Sequence, residues 1–230
     1  MTRPLRHGEP WGHAASGPPD VEVAGDDGEL VAVAASHPGA LVRYRPSPRS
    51  DLARALGLGP DGAGTTEVAI DALAIDPDDG AVGAVDAVKA IDAVNVVVLG
   101  PPPDRLRWTA RASHITVRVD GRAWFSGRAT TVVVANGQFL RGTDIVPRGH
   151  PGDGWAEVQV YALARRARRG MRRRLPTGTH VPHPGIRSGR AHRVEVEVGR
   201  PLPVEVDGRP HGRTSRLVVM LVPAAIRLLV

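Results

Sequence analysis

The 230-residue sequence contains no cysteine, and lysine is almost absent, because Lys89 is the only lysine among its 30 basic residues. A chain without cysteine can form neither a disulfide nor a thiolate metal site. No run approaches the roughly 20 apolar residues that span a bilayer. The N-terminus also lacks the apolar segment of a signal peptide. We therefore expect a cytoplasmic protein, which can contact a membrane only as a peripheral protein.

Aromatic residues are also scarce, at 3% of the chain, and this argues against a surface on which nucleic-acid bases stack. The net charge of +6 would attract nucleic acid or anionic lipid. However, the excess of arginine over lysine, together with abundant Ala, Gly, Pro and Val, is also typical of GC-rich coding. We expect no nucleic-acid partner.

The first part of the chain alternates strand and helix patterns after a start rich in glycine and proline. Ser50 is a candidate N-cap for a short helix that ends at Gly57. The alternation predicts a small α/β domain. The predicted segments are a disordered tail at residues 1–19, strands at 21–24 and 40–44, a helix opening at Leu30, and a helix at 51–56.

Strand patterns dominate from residue 65 onwards. A turn is predicted at 76–80 and a buried strand at 90–99, and an arginine-rich helix is predicted at about 162–175. Asp-Gly pairs at 120–121 and 207–208 stand between alternating runs, which is a strong hairpin signal. Residues 65–230 are therefore predicted to form a β-sandwich, whose last strand can return to the domain at 20–64. The fold class is α+β.

Several motifs of the second part resemble the diacylglycerol kinase catalytic family. They are the strand that ends in Asn136-Gly137, the turn from Gly142 to Pro147, and Asp153-Gly154 before the next strand. Further along, Gly178-Thr-His180 and the Asp207-Gly208 hairpin fall where that family has its Gly-x-His and Asp-Gly-Glu elements.

The first part resembles the same family in two loops. The segment Gly25-Asp-Asp-Gly-Glu-Leu30 is similar to the family's Gly-Gly-Asp-Gly-Thr-Leu, and Ser47-Pro-Arg-Ser-Asp51 with the following Leu-Ala-Arg-Ala-Leu is similar to Gly-Thr-x-Asn-Asp-Phe-Ala-Arg-Ala-Leu. The resemblance thus spans residues 21–230. It implies an α/β nucleotide-binding domain like that of NAD kinases, followed by a β-sandwich.

The resemblance implies an activity, in which ATP and Mg²⁺ bind between the two domains and the γ-phosphoryl group passes to a lipid hydroxyl. Such a reaction needs backbone N–H groups near the phosphates, a cation, and a group that orients the hydroxyl. The candidate nucleotide-binding residues carried over from the family motifs are Gly25, Asp27, Gly28, Arg49, Ser50 and Asp51.

Four positions depart from the family motifs. Asp26 and Glu29 place carboxylates in the phosphate loop, Pro48 removes a backbone donor, and Arg209 replaces the glutamate that is the family's candidate general base. Asp207 remains as the candidate catalytic residue. We expect a divergent lipid kinase homologue whose catalysis is weak or lost; the alternative is a non-enzymatic lipid- or protein-binding module.

The family's first motif, Asn-Pro-x-Ser-Gly, has no convincing counterpart before Val21. Two interpretations stay open, a truncated nucleotide-binding domain or a misplaced start codon. A truncated parallel sheet would expose an edge strand, and unpaired edges favour association. A homodimer is therefore a further expectation.

The arginine-rich helix suggests contact with anionic lipid headgroups through Arg165, Arg168, Arg169 and Arg172. A solvated basic face is the alternative. Asp153, in its glycine-rich loop, is a candidate ligand of a structural cation or an ordinary turn residue. His180 and His183 have the spacing of two metal ligands but no nearby third one, so a zinc site is not expected.

Overall fold

The computed structural model describes residues 11–15, 17–59, 64–76 and 91–230, and strands make up about half of them. The strands are β1 (His13–Ala14), β2 (Val21–Gly25), β3 (Leu41–Pro46), β4 (Thr66–Asp76), β5 (Val96–Leu99), β6 (Ser113–Val119), β7 (Arg122–Ala129), β8 (Thr131–Ala135), β9 (Phe139–Leu140), β10 (Thr143–Asp144), β11 (Ala156–Tyr161), β12 (Ile186–Ala191), β13 (Arg193–Val206) and β14 (Arg209–Leu229). The helices are α1 (Asp27–Ser36), α2 (Asp51–Leu56) and α3 (Arg165–Arg174), and 3₁₀ turns lie at Pro103–Arg105 and Leu175–Thr177.

Two parallel strands and two helices form the first part of the molecule. β2 and β3 pair in parallel, and α1 is the connection between them, as parallel strands require a crossover. Leu30 of α1, Tyr44 of β3 and Leu52 of α2 are all fully buried. They belong to one apolar cluster together with Ile70 of β4 and Leu228 of β14, so later strands complete the core of this small α/β layer.

β5, β8 and β11 lie side by side in the centre of the second part and are buried along their whole length. Alternate residues of β5 face different cores: Val97 and Leu99 pack in one cluster, whereas Val96 and Val98 pack in another. Successive side chains of a strand point to opposite faces. The sequence of β5 is therefore a continuous apolar run, because both faces of the strand are covered.

The longest strand, β14, joins the two parts of the molecule. It pairs antiparallel with β13 and β4, and its last residues pair in parallel with β3, with Arg227 opposite Leu41. A register shift between Val222 and Ile226 separates its two sections. Twelve of the strands in the described residues thereby form one sheet. The division of the chain near residue 65 stays a prediction.

The described residues correct several predicted boundaries. Helix α1 begins at Asp27 rather than at Leu30, because Asp26 caps it. The strand predicted at 90–99 is confined to Val96–Leu99, and Ala93 forms only an isolated bridge with Leu73. Residues 13 and 14 pair with β4, so they do not form a disordered tail.

Some predictions fall partly outside the described residues. These are the tail at 1–10 and 16, the domain border at 60–63, the turn at 77–80 and the start of the predicted strand at 90. Among the helices that the structure describes, none combines the length and the apolar character needed to cross a bilayer.

Candidate functional site

A cavity of about 490 Å³ lies where the α1–α2 layer meets the β13–β14 hairpin and the β9–β10 turn. We call it the central cavity. Arginine and aspartate side chains dominate its wall, so it is suited to charged rather than apolar ligands. The lining residues are Asp26, Pro48, Arg49, Asp51, Arg54, Arg141, Gly142, Asp207, Gly208 and Arg209.

The N-terminus of α1 is closed by its own side chains. Asp26 accepts a hydrogen bond from the Gly28 N–H at 3.0 Å, and Glu29 accepts one from the Asp26 N–H at 2.8 Å. Together they form a capping box, which satisfies N–H groups that a helix otherwise leaves without partners. A Cβ at Gly25 would lie 2.9 Å from the Glu29 side chain, so this glycine leaves room for the cap. An incoming phosphate would have to compete with both carboxylates for these donors.

Arg209 reaches across the cavity to this helix end. Its Nη2 donates to both carboxylate oxygens of Asp26 at 2.8 Å and lies 3.5 Å from Oε1 of Glu29. The guanidinium covers Gly28 so closely that a Cβ at that position would lie 2.8 Å from its Nη1. A side chain at this position would therefore displace the guanidinium from the helix end where the resemblance places a phosphate.

Asp27 ties α1 to α2. Its Oδ1 accepts from the Ser50 hydroxyl at 2.5 Å, and its Oδ2 accepts from the N–H groups of Asp51 and Leu52 at 3.1 and 3.2 Å. Ser50 in turn accepts from the Ala53 N–H, as an N-cap does. Burial raises the pKa of Asp27 to about 6. The predicted residues Asp27 and Ser50 thus lie behind the wall of the cavity and hold two helices together.

Asp51 lines the cavity, but its carboxylate already accepts hydrogen bonds within the protein. Its two oxygens accept hydrogen bonds from the backbone N–H groups of Arg141 and Gly142, the latter at 2.6 Å. Arg141 and Gly142 both have positive φ values, 51° and 72°, which turns two successive N–H groups toward one acceptor. Burial raises the pKa of Asp51.

Arg141 is the most heavily paired cation of the cavity. Its Nε and Nη2 bind the two oxygens of Asp104 at 3.0 and 2.8 Å, and its Nη1 binds Glu205. Two parallel N–H···O bonds to one carboxylate form a strong and highly directional ion pair. This network fixes the wall between the β9–β10 turn and β13.

Asp207 stands in the tight turn between β13 and β14. Its carboxylate accepts from the backbone N–H groups of Val94, Asn95 and Val96 at 2.9, 3.1 and 2.7 Å. Burial raises the pKa of this carboxyl to about 7, although the hydrogen bonds from the backbone act in the opposite direction. The side chain therefore anchors the hairpin to the start of β5.

Two cations of the cavity remain for a ligand. In the described part of the chain, the guanidinium group of neither Arg49 nor Arg54 forms an ion pair or a hydrogen bond. The Arg54 guanidinium lies 5.9 Å from the centre of the Phe139 ring, and its charge acts on Asp51 by lowering the pKa of that carboxyl, against the larger effect of burial. Arginine is well suited to bind a phosphate with two hydrogen bonds. The central cavity can thus hold an anion on its Arg49 and Arg54 side.

The residues of the cavity do not fit ATP with Mg²⁺ in the way that the family motifs imply. Asp27, Asp51 and Asp207 already use both of their carboxylate oxygens within the protein. Within the described residues, no three His, Cys, Asp or Glu side chains are grouped as metal ligands. The N–H donors at the α1 end are engaged by Asp26 and Glu29.

The other predicted site residues lie away from the central cavity. Asp153 caps the Trp155 N–H at 3.1 Å and lies 3.5 Å from Arg190, which agrees with its alternative interpretation as a turn residue. His180 is fully buried, with Nε2 3.0 Å from the Ile145 carbonyl, and burial lowers its pKa.

Arg168 was predicted to contact lipid, and the structure corrects this. The residue is only 3% exposed, and its Nη1 donates to the carbonyls of Arg107, Trp108 and Ala110 at 3.2, 3.0 and 2.7 Å. Helical periodicity could have suggested it, because Arg168 lies three residues before the buried Met171. The other three predicted residues, Arg165, Arg169 and Arg172, are exposed.

Sequence reasoning missed three residues of the central site, namely Arg54, Asp104 and Arg141. Arg54 lies inside the second family-like loop, and Arg141 directly precedes the turn from Gly142 to Pro147. Both residues could therefore have been found from the neighbouring motifs. Asp104 carried no such signal, because its role depends on the approach of Arg141 from 37 positions away in the sequence.

The shared sheet with central strands buried on both faces, and the cavity beside the α1–α2 layer, agree with the NAD-kinase-like fold class. Residues 106–230 match the family model described as the YegS C-terminal NAD kinase beta sandwich-like domain. This match covers more than half of the chain, and the chain belongs to this family. The resemblance to lipid kinases of the diacylglycerol kinase type is thereby confirmed for the fold.

Solved structures agree with this assignment. A structure described as a diacylglycerol kinase from Bacillus anthracis str. Sterne has a TM-score of 0.67 and 16% identity, and covers 91% of this chain and 76% of that chain. A second structure from that organism, provisionally described as a diacylglycerol kinase, has a TM-score of 0.72 and 15% identity with the same coverage. No curated protein sequence matches the chain significantly.

Proposed function

We propose that this chain is a divergent lipid kinase homologue in which ATP-dependent phosphorylation of a lipid hydroxyl, the activity implied by the resemblance, is weak or lost. The observation that supports this most directly is the bridge from Arg209 to Asp26 and Glu29 over Gly28. It occupies the end of α1 where the family motif would receive a phosphate.

Charge supports the same proposal. The bridge itself is exposed, with Arg209 at 58% and Asp26 at 29% side-chain exposure, so breaking it costs about 1 kcal/mol or less. However, a phosphate that displaced Arg209 would then face two carboxylates. Each such contact at about 4 Å is unfavourable by up to about 4 kcal/mol at an effective dielectric constant near 20, and solvent reduces this at an exposed site.

The hydrogen bonding of Asp207, the remaining candidate for acid–base catalysis, also favours weak catalysis. Asp207 accepts three backbone hydrogen bonds in its turn, so its oxygens are directed at the protein and not at a substrate hydroxyl. Arg209, at the position of the family's glutamate, cannot accept a proton near neutral pH. If the chain is active, Arg49 and Arg54 are the cations left to orient the phosphates of ATP.

The test is a direct kinase assay of the purified chain with Mg²⁺, labelled ATP and a panel of diacylglycerols and related lipids. We expect no ATP-dependent thermal shift and no labelled lipid above the blank. Labelled lipid above the blank that disappears in an Asp207→Asn variant shown to be folded would overturn the proposed loss of catalysis.

A restored variant sharpens this test. The triple substitution Asp26→Gly, Glu29→Thr and Arg209→Glu rebuilds the family motifs at the end of α1 and in the hairpin. We expect it to gain an ATP-dependent thermal shift that the single substitution Arg209→Gln does not give. Failure of the folded triple variant to bind ATP would mean that the bridge is not what excludes the nucleotide.

The alternative is a non-enzymatic lipid- or protein-binding module, and the exposed arginines of α3 favour it. Binding of lipid vesicles without any effect of ATP would support this alternative. A homodimer remains part of the proposal, and sedimentation velocity over a concentration series tests it.

A further inference from the structure

Helix α3 and the loop beside it carry exposed cations and an exposed indole that do not line the central cavity. Six arginines of the helix are exposed, and the indole of Trp108 in the neighbouring loop is exposed to 68%. We call this set the α3 surface. Its arginines are Arg165, Arg166, Arg169, Arg172, Arg173 and Arg174.

The charge of the α3 surface is not balanced inside the molecule. Helix α3 contains no acidic residue, and none of its six exposed arginines forms an ion pair with a residue that the structure describes. Like charges at helical spacing destabilise an isolated helix. An unbalanced cationic face of this kind is complementary to an anionic surface.

The loop that carries Trp108 is held at the α3 surface by Arg168, a buried residue of α3. Arg168 donates to the carbonyls of Arg107, Trp108 and Ala110, so the loop backbone is fixed against α3. Ala110 packs on the apolar cluster beneath, whereas the Trp108 side chain is exposed. The fold therefore presents a large apolar ring beside a row of cations.

We propose that the α3 surface docks the protein on an anionic lipid bilayer, with the arginines at the headgroups and Trp108 at the interface. Basic residues are attracted by the negative potential of such membranes, and tryptophan is enriched at the boundary between headgroups and hydrocarbon. This inference rests on the proposed function and deepens it, because it names the surface by which the chain reaches lipid.

The α3 surface is also connected to the central cavity. Arg169, Arg172 and Arg173 line a second cavity of about 400 Å³ together with Asp104. Asp104 binds Arg141, which lines the central cavity. Docking through α3 therefore brings the region of the central cavity close to the membrane surface.

Vesicle co-sedimentation tests the proposal without ATP. The wild-type chain should bind vesicles of phosphatidylcholine with about 30% phosphatidylglycerol far better than pure phosphatidylcholine vesicles. The triple variant Arg165→Gln, Arg169→Gln and Arg172→Gln should bind about 100-fold more weakly, since each basic residue near such a surface contributes roughly fivefold. The charge-matched control Arg45→Gln, Arg122→Gln and Arg213→Gln should change binding by less than about threefold.

Trp108 gives a second readout. Quenching of tryptophan emission by brominated lipid should occur in the wild type and be largely lost in Trp108→Phe, while the affinity of that variant stays within a fewfold. Equal loss of binding in both triple variants, or unchanged quenching in Trp108→Phe, would overturn the proposal.

The binding of a soluble polyanion must also be compared with the binding of anionic lipid. Tighter binding of single-stranded RNA than of anionic vesicles, lost in the same α3 triple variant, would also overturn the membrane proposal. Because the assays contain no ATP, their outcome is independent of the kinase test. Vesicle binding can fail in an active kinase, and it can succeed in a chain without catalysis.

Discussion

At the scale of single residues, buried polar side chains carry the connections around the central cavity. Asp27 accepts hydrogen bonds from Ser50, Asp51 and Leu52, and Arg168 donates to three carbonyls of one loop. Buried polar groups are costly unless they are paired. Each of these residues is therefore a place where a small substitution has a specific effect on stability.

We expect Asp27→Asn to remove part of the pH dependence of stability. The pKa of Asp27 is raised from its usual value to about 6 by burial, so the carboxyl takes up a proton on folding. The stability that this carboxyl contributes is fully present below the pKa that it has in the unfolded chain. It is lost as the pH rises through about 6, the pKa in the folded protein. Chemical unfolding at several pH values between about 4 and 7 should show a falling free energy of unfolding in the wild type and a shallower fall in Asp27→Asn.

The amide in that variant imitates the protonated acid, since it offers both an acceptor and a donor to the same partners. A wild-type stability that rises between about pH 4 and pH 7 would contradict the assigned shift. Asp207, whose pKa is raised to about 7, acts in the same direction, so we expect the variant to reduce the slope and not to abolish it.

We expect Arg168→Met to destabilise the protein by about 1–3 kcal/mol, because it leaves three carbonyls of the 107–110 loop without their donor. Arg166→Met is the matched control on the same helix: Arg166 is exposed, and its replacement should change the free energy of unfolding by less than about 0.5 kcal/mol. Equal effects in urea unfolding would show that the hydrogen bonds of Arg168 have no energetic role.

At the scale of elements, two hairpins share one turn geometry and differ in their surroundings. Asp120-Gly121 and Asp207-Gly208 have nearly the same φ values, 48° and 77° in the first and 44° and 78° in the second. Asp120 accepts from the N–H groups of His192 and Arg193 at an exposed position. Asp207 accepts from three N–H groups at the start of β5.

We expect Asp207→Ala to cost about 3 kcal/mol or more, because shielded N–H groups lose their acceptor. Asp120→Ala should cost less than about 1 kcal/mol, since water can replace the carboxylate at its exposed turn. Denaturant unfolding of both variants measures the difference. Similar losses in both would mean that the turn geometry, and not the anchoring of β5, sets the stability of these hairpins.

At the scale of the whole molecule, β14 belongs to both parts. Its end pairs with β3 and β4, and Leu228 lies in the apolar cluster formed with α1 and α2. Its first half pairs with β13 in the second part. One strand shared by two layers should make them unfold together.

We expect Leu228→Ala to lower the midpoint of a single thermal transition, with a loss of about 2–5 kcal/mol for a fully buried leucine. The matched control is Leu106→Ala, a fully buried leucine in the second part that should shift the same transition. Two separate transitions, each shifted by only one of the substitutions, would show that the parts unfold independently.

Local patterns in the sequence predicted much of the fold and the outline of the site. The Ser50 cap, the end of α2 at Gly57, both Asp-Gly hairpins and strands β8 and β11 agree with the structure. Each depends on residues that are close in sequence, such as a capping hydroxyl or an alternating apolar run. The resemblance to the family motifs also predicted the order of these elements along the chain.

The sequence by itself determined the β-sandwich, the alternation of strand and helix before it, and the departure of Asp26, Glu29 and Arg209 from the family motifs. Only the tertiary structure decided what these residues do: Arg209 binds Asp26 from 183 positions away, and Arg168 turns inward to hold a loop 58 to 61 positions away. The physical reason is that caps, turns and alternation act between near neighbours, whereas ion pairs and buried donors depend on which distant segments the fold brings together.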